Sequence, residues 1–124
     1  MPVVFVISSD WRFRAGLRAE LRERGIEALG METPRDAGRT MAGGVAPSLM
    51  VWDAGSGTSG DAAAESESGM RALEIISRAV PLVVIAPRLE RAPLPSNVAL
   101  LLHRPARVGD VAEHVLTILQ GRPA

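Results

Sequence analysis

Four short runs of apolar residues, each followed by a polar or small residue, constrain the fold of this chain more than any other feature. They underlie predicted strands at 3–7, 48–53, 82–86 and 98–103, and they are rich in Val, Ile and Leu. A strand that exposes one face alternates apolar and polar residues, whereas a strand of a parallel sheet is covered on both faces and is apolar throughout. The runs therefore predict the strands of a buried parallel sheet.

The first predicted helix follows the strand at 3–7 and covers residues 11–24. Ser9 or Asp10 precedes it as a candidate N-cap, and Gly25 follows its last turn. One stripe at helical spacing is apolar and consists of Phe13, Leu17 and Leu21. A second stripe beside it is basic and predicts a solvated face; it consists of Arg14, Arg18 and Arg22.

The remaining segments continue the alternation of strands and helices. A weaker strand at 26–31 fits a sheet edge, and Thr33-Pro34 predicts the start of a short helix that ends near Met41. Residues 54–69 contain only small and acidic residues besides Thr58, which predicts a long mobile loop. Further helices are expected at 70–80 and 108–119, and the second should present a wide apolar side that is partly exposed.

The connection between the last two strands is unusually short. Only residues 87–97 are available, and Pro93 and Pro95 lie among them. A parallel crossover needs roughly ten to twelve residues including its helix, so the fourth helix should be shortened or missing. We therefore predict a flavodoxin-like α/β fold with a five-stranded parallel sheet, strand order 2-1-3-4-5, and helices on both faces. Residues 1–120 should form one domain, followed by a tail at 121–124.

Composition excludes several classes of function. The chain has 124 residues and a formal net charge of zero, so no basic field attracts nucleic acid or a membrane surface. It has no Cys, and all 14 of its Lys plus Arg residues are Arg, so thiolate chemistry and lysine chemistry are excluded. The run at 3–7 is too short for a signal peptide or a membrane span. A cytoplasmic protein is expected.

The candidate site lies where three predicted strands end. Asp53 follows the apolar run of the third strand, and Ser8, Ser9 and Asp10 follow the first. In a sheet of order 2-1-3-4-5 the carboxyl ends of strands one, three and four meet, and ligands bind in that crevice. Arg104 reaches the same region from the end of strand five.

At these residues the chain resembles the receiver domain of bacterial response regulators. The resemblance extends over nearly the whole chain and depends on the order of the strands, on an acid after strand three and on a basic residue followed by Pro after strand five. It implies a regulatory module rather than an enzyme. In that family an acidic pair after strand one holds Mg²⁺, and the Asp after strand three accepts a phosphoryl group.

The resemblance assigns a position to each candidate residue. Asp53 matches the phosphoacceptor, Ser8 and Ser9 stand at the acidic-pair positions, and Asp10 is an adjacent acid that starts the helix. Two hydroxyls cannot supply the charge of two carboxylates, so Asp10 and Asp53 would hold a metal weakly, if at all. We expect no cofactor, with Mg²⁺ required only if phosphorylation is retained.

Two further positions depart from the family. Ala86 stands where a Ser or Thr would contact the phosphate, and Arg104, before Pro105, stands where a Lys would contact it. Arg104 would pair with Asp53 when no phosphate is present. The Met-Pro expected after the acceptor is replaced by a segment that begins at Gly55.

Three functions remain open. The preferred one is an atypical receiver that acts through a protein partner or a second copy, without phosphorylation. A phosphorylatable receiver that uses Asp53 is the first alternative, and a flavodoxin-like protein that holds phosphate or flavin with residues 55–60 is the second. His103 and His114 fit structural roles better than ligation, and Trp11 and Trp52 suit either partner contact or the core.

Overall fold

The computed structural model describes residues 2–54, 69, 71–86 and 98–121. Its nine elements in chain order are β1 Val3–Ile7, α1 Trp11–Glu23, β2 Glu27–Met31, α2 Pro34–Ala42, β3 Leu49–Asp53, α3 71–76, β4 Leu82–Ala86, β5 Val98–His103 and α4 Val108–Leu119. The predicted loop after β3, the predicted shortened helix before β5 and most of the predicted tail lie outside the described residues. Among the described helices, none combines the length and the apolar character needed to cross a membrane.

The sheet confirms the predicted topology. All five strands are parallel and their order is β2-β1-β3-β4-β5. Every residue of β3 and β4 is buried, as expected for inner strands covered on both faces. The predicted edge position of β2 is also confirmed.

Two apolar layers cover the sheet. On one face α1 and α4 pack against the strands, and Leu17 and Val115 belong to the buried cluster there. On the other face the buried cluster includes Phe5 and Trp52 from the sheet, Ala37 from α2 and Leu73 from α3. The fold is thus a sheet covered on both faces, and two of its buried polar residues, Ser8 and Asp53, lie at the ends of strands.

Local sequence signals set the starts of the first two helices. The Asp10 carboxylate accepts hydrogen bonds from the N–H groups of Arg12 and Phe13, at 3.0 Å and 3.4 Å. Thr33 and Asp36 form a reciprocal capping box, with Pro34 as the first helical residue. Both N-caps agree with the sequence prediction.

The basic stripe of α1 is the predicted solvated face only at Arg22, which is exposed. Arg14 donates through Nη1 to the carbonyl of Ser8 at 2.6 Å, and Arg18 donates through Nε to the carbonyl of Ala28 at 3.2 Å. Both side chains cover Gly30, where a Cβ atom would lie 2.9 Å from Cδ of Arg14. The prediction fails for these two arginines because the edge strand offers an outward carbonyl and a glycine that leaves space for the aliphatic stems.

An ionic contact joins α1 to α4 at the surface. Arg24 pairs with Glu20 at 2.6 Å and with Glu113 at 3.3 Å. The hydrogen bond that Arg24 donates to Glu20, assisted by the one it donates to Glu113, raises the pKa of Arg24 above its ordinary value. Glu20 lies close to the apolar stripe in the helical sequence, and this pairing explains how it is accommodated there.

One of the two C-terminal helical predictions needs correction. α3 ends at residue 76 and is followed by a turn, whereas the sequence pattern predicted helix to residue 80. In α4 the centre of the apolar face is buried, because Val111, Ala112 and Val115 pack into the core. The edges of that face are only partly buried, in agreement with the predicted partial exposure; they consist of Val108, Leu116, Ile118 and Leu119.

Candidate functional site

Asp53 ends β3 inside the molecule. β3 pairs with β1 on one side and with β4 on the other, which places Asp53 opposite Ile85. Its side chain is only 2% exposed. An ionised carboxylate at such a position is costly to bury unless hydrogen bonds or an opposite charge compensate it.

Both carboxylate oxygens of Asp53 have partners. The Ser8 hydroxyl donates to Oδ2 at 2.7 Å, and the Arg104 guanidinium donates through Nη2 to Oδ1. The Arg104 side chain is 35% exposed, so the pair lies between the core and solvent. The result is a locally neutral ion pair in which one hydroxyl and one guanidinium satisfy the acid.

Ser8 is held by contacts to its backbone and its hydroxyl. Its N–H donates to the carbonyl of Met31 at 3.0 Å, and its own carbonyl accepts from Arg14. Its Oγ also accepts from the N–H of Asp10 at 3.0 Å while donating to Asp53. The side chain is thus fixed in the orientation that serves Asp53.

Arg104 is positioned by the backbone just after β5. Its N–H donates to the carbonyl of Ala86 at 3.0 Å, which continues the β4–β5 ladder past the pair formed by Ala86 and His103. The Arg104–Pro105 peptide is cis. Ala86 is buried and contributes its backbone carbonyl to this arrangement, and its methyl side chain offers no hydroxyl.

The structure gathers most of the residues that the sequence singled out. Ser8, Asp53 and Arg104 are in direct contact, and Asp10 lies in the wall of the same cavity. Ser9 follows Ser8 and is exposed. Among the described contacts, the Asp10 carboxylate uses Oδ1 to cap α1 and leaves Oδ2 without a hydrogen-bond partner.

A cavity of about 490 Å³ opens beside the ion pair. It is lined by Asp10, Phe13, Asp53, Ile85, Arg104, Pro105 and Ala106. The sequence reasoning missed the apolar part of this wall. Phe13 was assigned only to the core stripe, and the residues after Pro105 carried no signal beyond their place at the end of β5.

This arrangement is poorly suited to hold a metal. Mg²⁺ prefers octahedral oxygen ligands and is commonly bound by one or two carboxylates with phosphate and water. Asp53 already shares its charge with Arg104, and Asp10 uses one of its two carboxylate oxygens for the helix cap. In the part of the chain that the structure describes, no three His, Cys, Asp or Glu residues are grouped as a metal site would require.

The other candidates take separate places. His103 is exposed at the end of β5 and is absent from the described cavity wall, and His114 is half-buried on α4. Trp52 belongs to the core, whereas Trp11 is 64% exposed with the Arg12 guanidinium 5.6 Å from its ring centre. The two tryptophans therefore divide between the two roles that the sequence left open.

Comparison with known proteins identifies the fold through structure and not through sequence. No protein-family model and no curated protein matches the chain. The receiver domain of the Francisella response regulator 1452 is similar, with a TM-score of 0.74, 14% identity and 98% of each chain covered. A CheY-like receiver domain protein from Methanospirillum hungatei has a TM-score of 0.71 and 13% identity, also over 98% of each chain.

A third similar structure is a receiver domain protein from Clostridium thermocellum. Its TM-score is 0.72 at 15% identity, over 98% of this chain and 96% of that one. The chain therefore has the CheY-like, flavodoxin-type fold of response regulator receiver domains along nearly its whole length. Identities this low establish the fold, and the chemistry of the site has to be argued from its own residues.

Proposed function

We propose that this chain is an atypical receiver domain that acts through protein–protein interaction, with Asp53 held in an ion pair instead of being phosphorylated. One observation carries the proposal: both oxygens of the carboxylate already have partners, Ser8 on one side and Arg104 on the other. An acceptor carboxylate must present a free oxygen to the incoming phosphorus atom. Here the Ser8 and Arg104 contacts engage a lone pair on each oxygen, and the positive charge of Arg104 makes the carboxylate a weaker nucleophile.

Charge supports the same conclusion. Phosphoryl transfer depends on positioning and on neutralising the charge of the phosphoryl oxygens, which in most enzymes is the work of a metal ion. Ser8 and Ser9 stand where the resemblance expects the carboxylates that would hold that ion. Arg104 brings one positive charge, which its ion pair with Asp53 neutralises.

The signalling step lacks a counterpart as well. In the family that this chain resembles, a hydroxyl residue after β4 contacts the phosphate, and Ala86 has no group that could do so. Conformational change driven by phosphate requires that the two states differ in their contacts with it. A domain without that contact has no obvious means to report phosphorylation, so we assign its output to a constitutive surface.

The alternative function is a receiver that still accepts phosphate at Asp53. The observation in its favour is the partial exposure of Arg104, whose side chain has room to move toward solvent and free one carboxylate oxygen. In that case Arg104 would clamp the phosphoryl oxygens, for which a guanidinium is well shaped. Mg²⁺ would then have to bind mainly through Asp53, Asp10 and water.

The deciding experiment is phosphorylation by a small phosphodonor. The protein is incubated with Mg²⁺ and phosphoramidate, and its intact mass is followed together with tryptophan fluorescence. We expect no phosphoryl adduct and no metal-dependent change in fluorescence. An adduct that disappears in Asp53→Asn would establish the alternative.

A variant with the family residues restored serves as the positive control. It carries Ser8→Asp, Ser9→Asp, Ala86→Thr and Arg104→Lys, which returns the carboxylates, the hydroxyl and the ammonium to this site. An adduct in this variant, and none in the unmodified protein, assigns the difference to these positions. In this proposal the domain has no catalytic activity of its own. Its target is a protein partner or a second copy of the chain, and its location is the cytoplasm.

A further inference from the structure

The cavity beside Asp53 has a composition that points to a ligand of a different kind from phosphate. Its apolar walls are Phe13, Ile85, Pro105 and Ala106. Its volume of about 490 Å³ lies within the range of cavities that bind small organic molecules. Such cavities typically combine apolar walls with a few polar groups that set orientation.

The charged groups of the wall favour a cation. The described lining contains two carboxylates and one guanidinium, and the guanidinium of Arg104 is paired with Asp53. Asp10 therefore supplies the remaining charge. It is exposed, and its Oδ2 makes no hydrogen bond to a described residue, so this oxygen is open to solvent or to a ligand. The partial positive charge at the start of α1 offsets part of this negative charge but leaves the oxygen available as an acceptor.

Other ligand classes fit less well. An inorganic anion would have to compete with Asp53 for Arg104 and would meet the negative charge of Asp10. A divalent metal would find only one carboxylate with an uncommitted oxygen. A neutral apolar molecule would fill the apolar walls but would gain nothing from the charge of Asp10, which is exposed and stays hydrated.

We propose that this cavity binds a small monovalent organic cation, a primary amine on an apolar body, with the ammonium donating to Asp10 and the body packed on Phe13 and Ala106. The ring of Phe13 adds an attractive surface for the cation. The inference rests on the proposed function in one respect, because Arg104 must remain paired with Asp53. A phosphorylated Asp53 would change the charge on which this selectivity depends.

Three probes of similar size and different charge test the proposal. 2-Phenylethylamine, 2-phenylethanol and 3-phenylpropionate are titrated into the isotopically labelled protein, and backbone amide shifts are followed. We expect saturable shifts for the amine in the millimolar range, confined to Asp10, Phe13 and the 104–106 segment. The alcohol should bind about tenfold more weakly, because it lacks the charge-assisted hydrogen bond. The carboxylate should produce no saturable shifts.

Substitutions in the cavity wall test which residues contact the probes. Asp10→Asn keeps an oxygen that can cap α1 and removes the charge, so it should weaken amine binding about tenfold and leave the alcohol unaffected. Glu23→Gln, an exposed acid at the other end of α1, should change neither. Ala106→Leu should weaken the binding of all three probes, because the larger side chain takes up space where the apolar body of the probe packs.

The results that would overturn this ligand proposal differ from those that would overturn the proposed function. Equal binding of the amine and the carboxylate, absence of saturable amine shifts, or an unchanged affinity in Asp10→Asn would each overturn the inference. Intact mass after phosphodonor treatment is measured on the same sample. A protein that stays unphosphorylated and binds no amine retains the proposed function and loses only this ligand.

Discussion

Asp53 and Arg104 form an ion pair whose two members differ sharply in their access to water. The Asp53 side chain is 2% exposed and the Arg104 side chain is 35% exposed. Arg104 can therefore recover hydration when its partner is removed, whereas Asp53 cannot. This asymmetry predicts which half of the pair is more costly to delete.

Arg104→Ala should destabilise the protein more than Asp53→Asn. Loss of the guanidinium removes the positive charge that Arg104 places beside a buried carboxylate, at a cost of about 3–5 kcal/mol. Asn at position 53 can still accept from Ser8 and leaves Arg104 near solvent, so we expect a cost of about 1–2 kcal/mol. Unfolding in urea measures the free energy of unfolding of both variants. Arg107→Ala, an exposed arginine three residues on, is the control and should stay within about 0.5 kcal/mol. The reverse order of the two costs would contradict the structure.

Ser8→Ala should cost about 1–3 kcal/mol, because the buried Oδ2 of Asp53 and the N–H of Asp10 each lose a partner. Ser48→Ala is a matched control, since Ser48 is exposed and no described hydrogen bond involves its hydroxyl. Its free energy of unfolding should change by less than about 0.5 kcal/mol. Equal effects in the two variants would show that the Ser8 hydroxyl does not support Asp53.

Asp10 is expected to act on stability through the helix cap. Asp10→Ala removes the acceptor for the first N–H groups of α1 and should cost about 1 kcal/mol. Asp10→Asn keeps an acceptor in the same place, so its cost should be close to zero. The melting temperatures of the two variants separate the cap from the charge, and equal losses in Asp10→Asn and Asp10→Ala would assign the effect to charge instead.

Gly30→Val should destabilise the protein although Val suits a strand better than Gly. Its Cβ would meet Cδ and Cγ of Arg14 at 2.9 Å and Cδ of Arg18 at 3.1 Å. Adding Arg14→Ala should recover much of the lost stability, because the closest obstruction is then gone. A double-mutant cycle in urea gives the coupling, and purely additive costs would exclude the packing contact.

Two substitutions to Asp test which apolar residues are exposed. Val111 is fully buried in α4, so Val111→Asp should cost at least about 3 kcal/mol and leave much of the protein unfolded. Leu101 on β5 is 37% exposed, and Leu101→Asp should retain the fold at a cost of about 1 kcal/mol. Circular dichroism with thermal unfolding compares them.

Most of the fold followed from local patterns. The apolar runs predicted four of the five strands because burial on both faces leaves no room for polar alternation. Asp10 and Thr33 marked the starts of α1 and α2 because each precedes an amphipathic segment and can accept from its first N–H groups. The length of α3 was overestimated, since its pattern stays apolar through Val80 while the chain already turns at 77.

The site followed less completely. The ends of β1, β3 and β5 converge for any sheet of this order, so the proximity of Ser8, Asp53 and Arg104 was predictable. The orientation of the α1 arginines was not, because helical spacing alone does not reveal that Gly30 leaves space beneath Arg14 and Arg18. The burial of Val111 likewise depends on how closely α4 approaches α1.

By itself, the sequence determined the order of the strands, the residues at their carboxyl ends and the absence of the acidic pair, the hydroxyl and the lysine. These properties depend on residue identity and on patterns a few residues long. Only the tertiary structure decided that Asp53 is enclosed with both oxygens engaged and that an apolar cavity opens beside it. Contacts between residues 45 and 51 positions apart create that environment, and no local pattern encodes their distances.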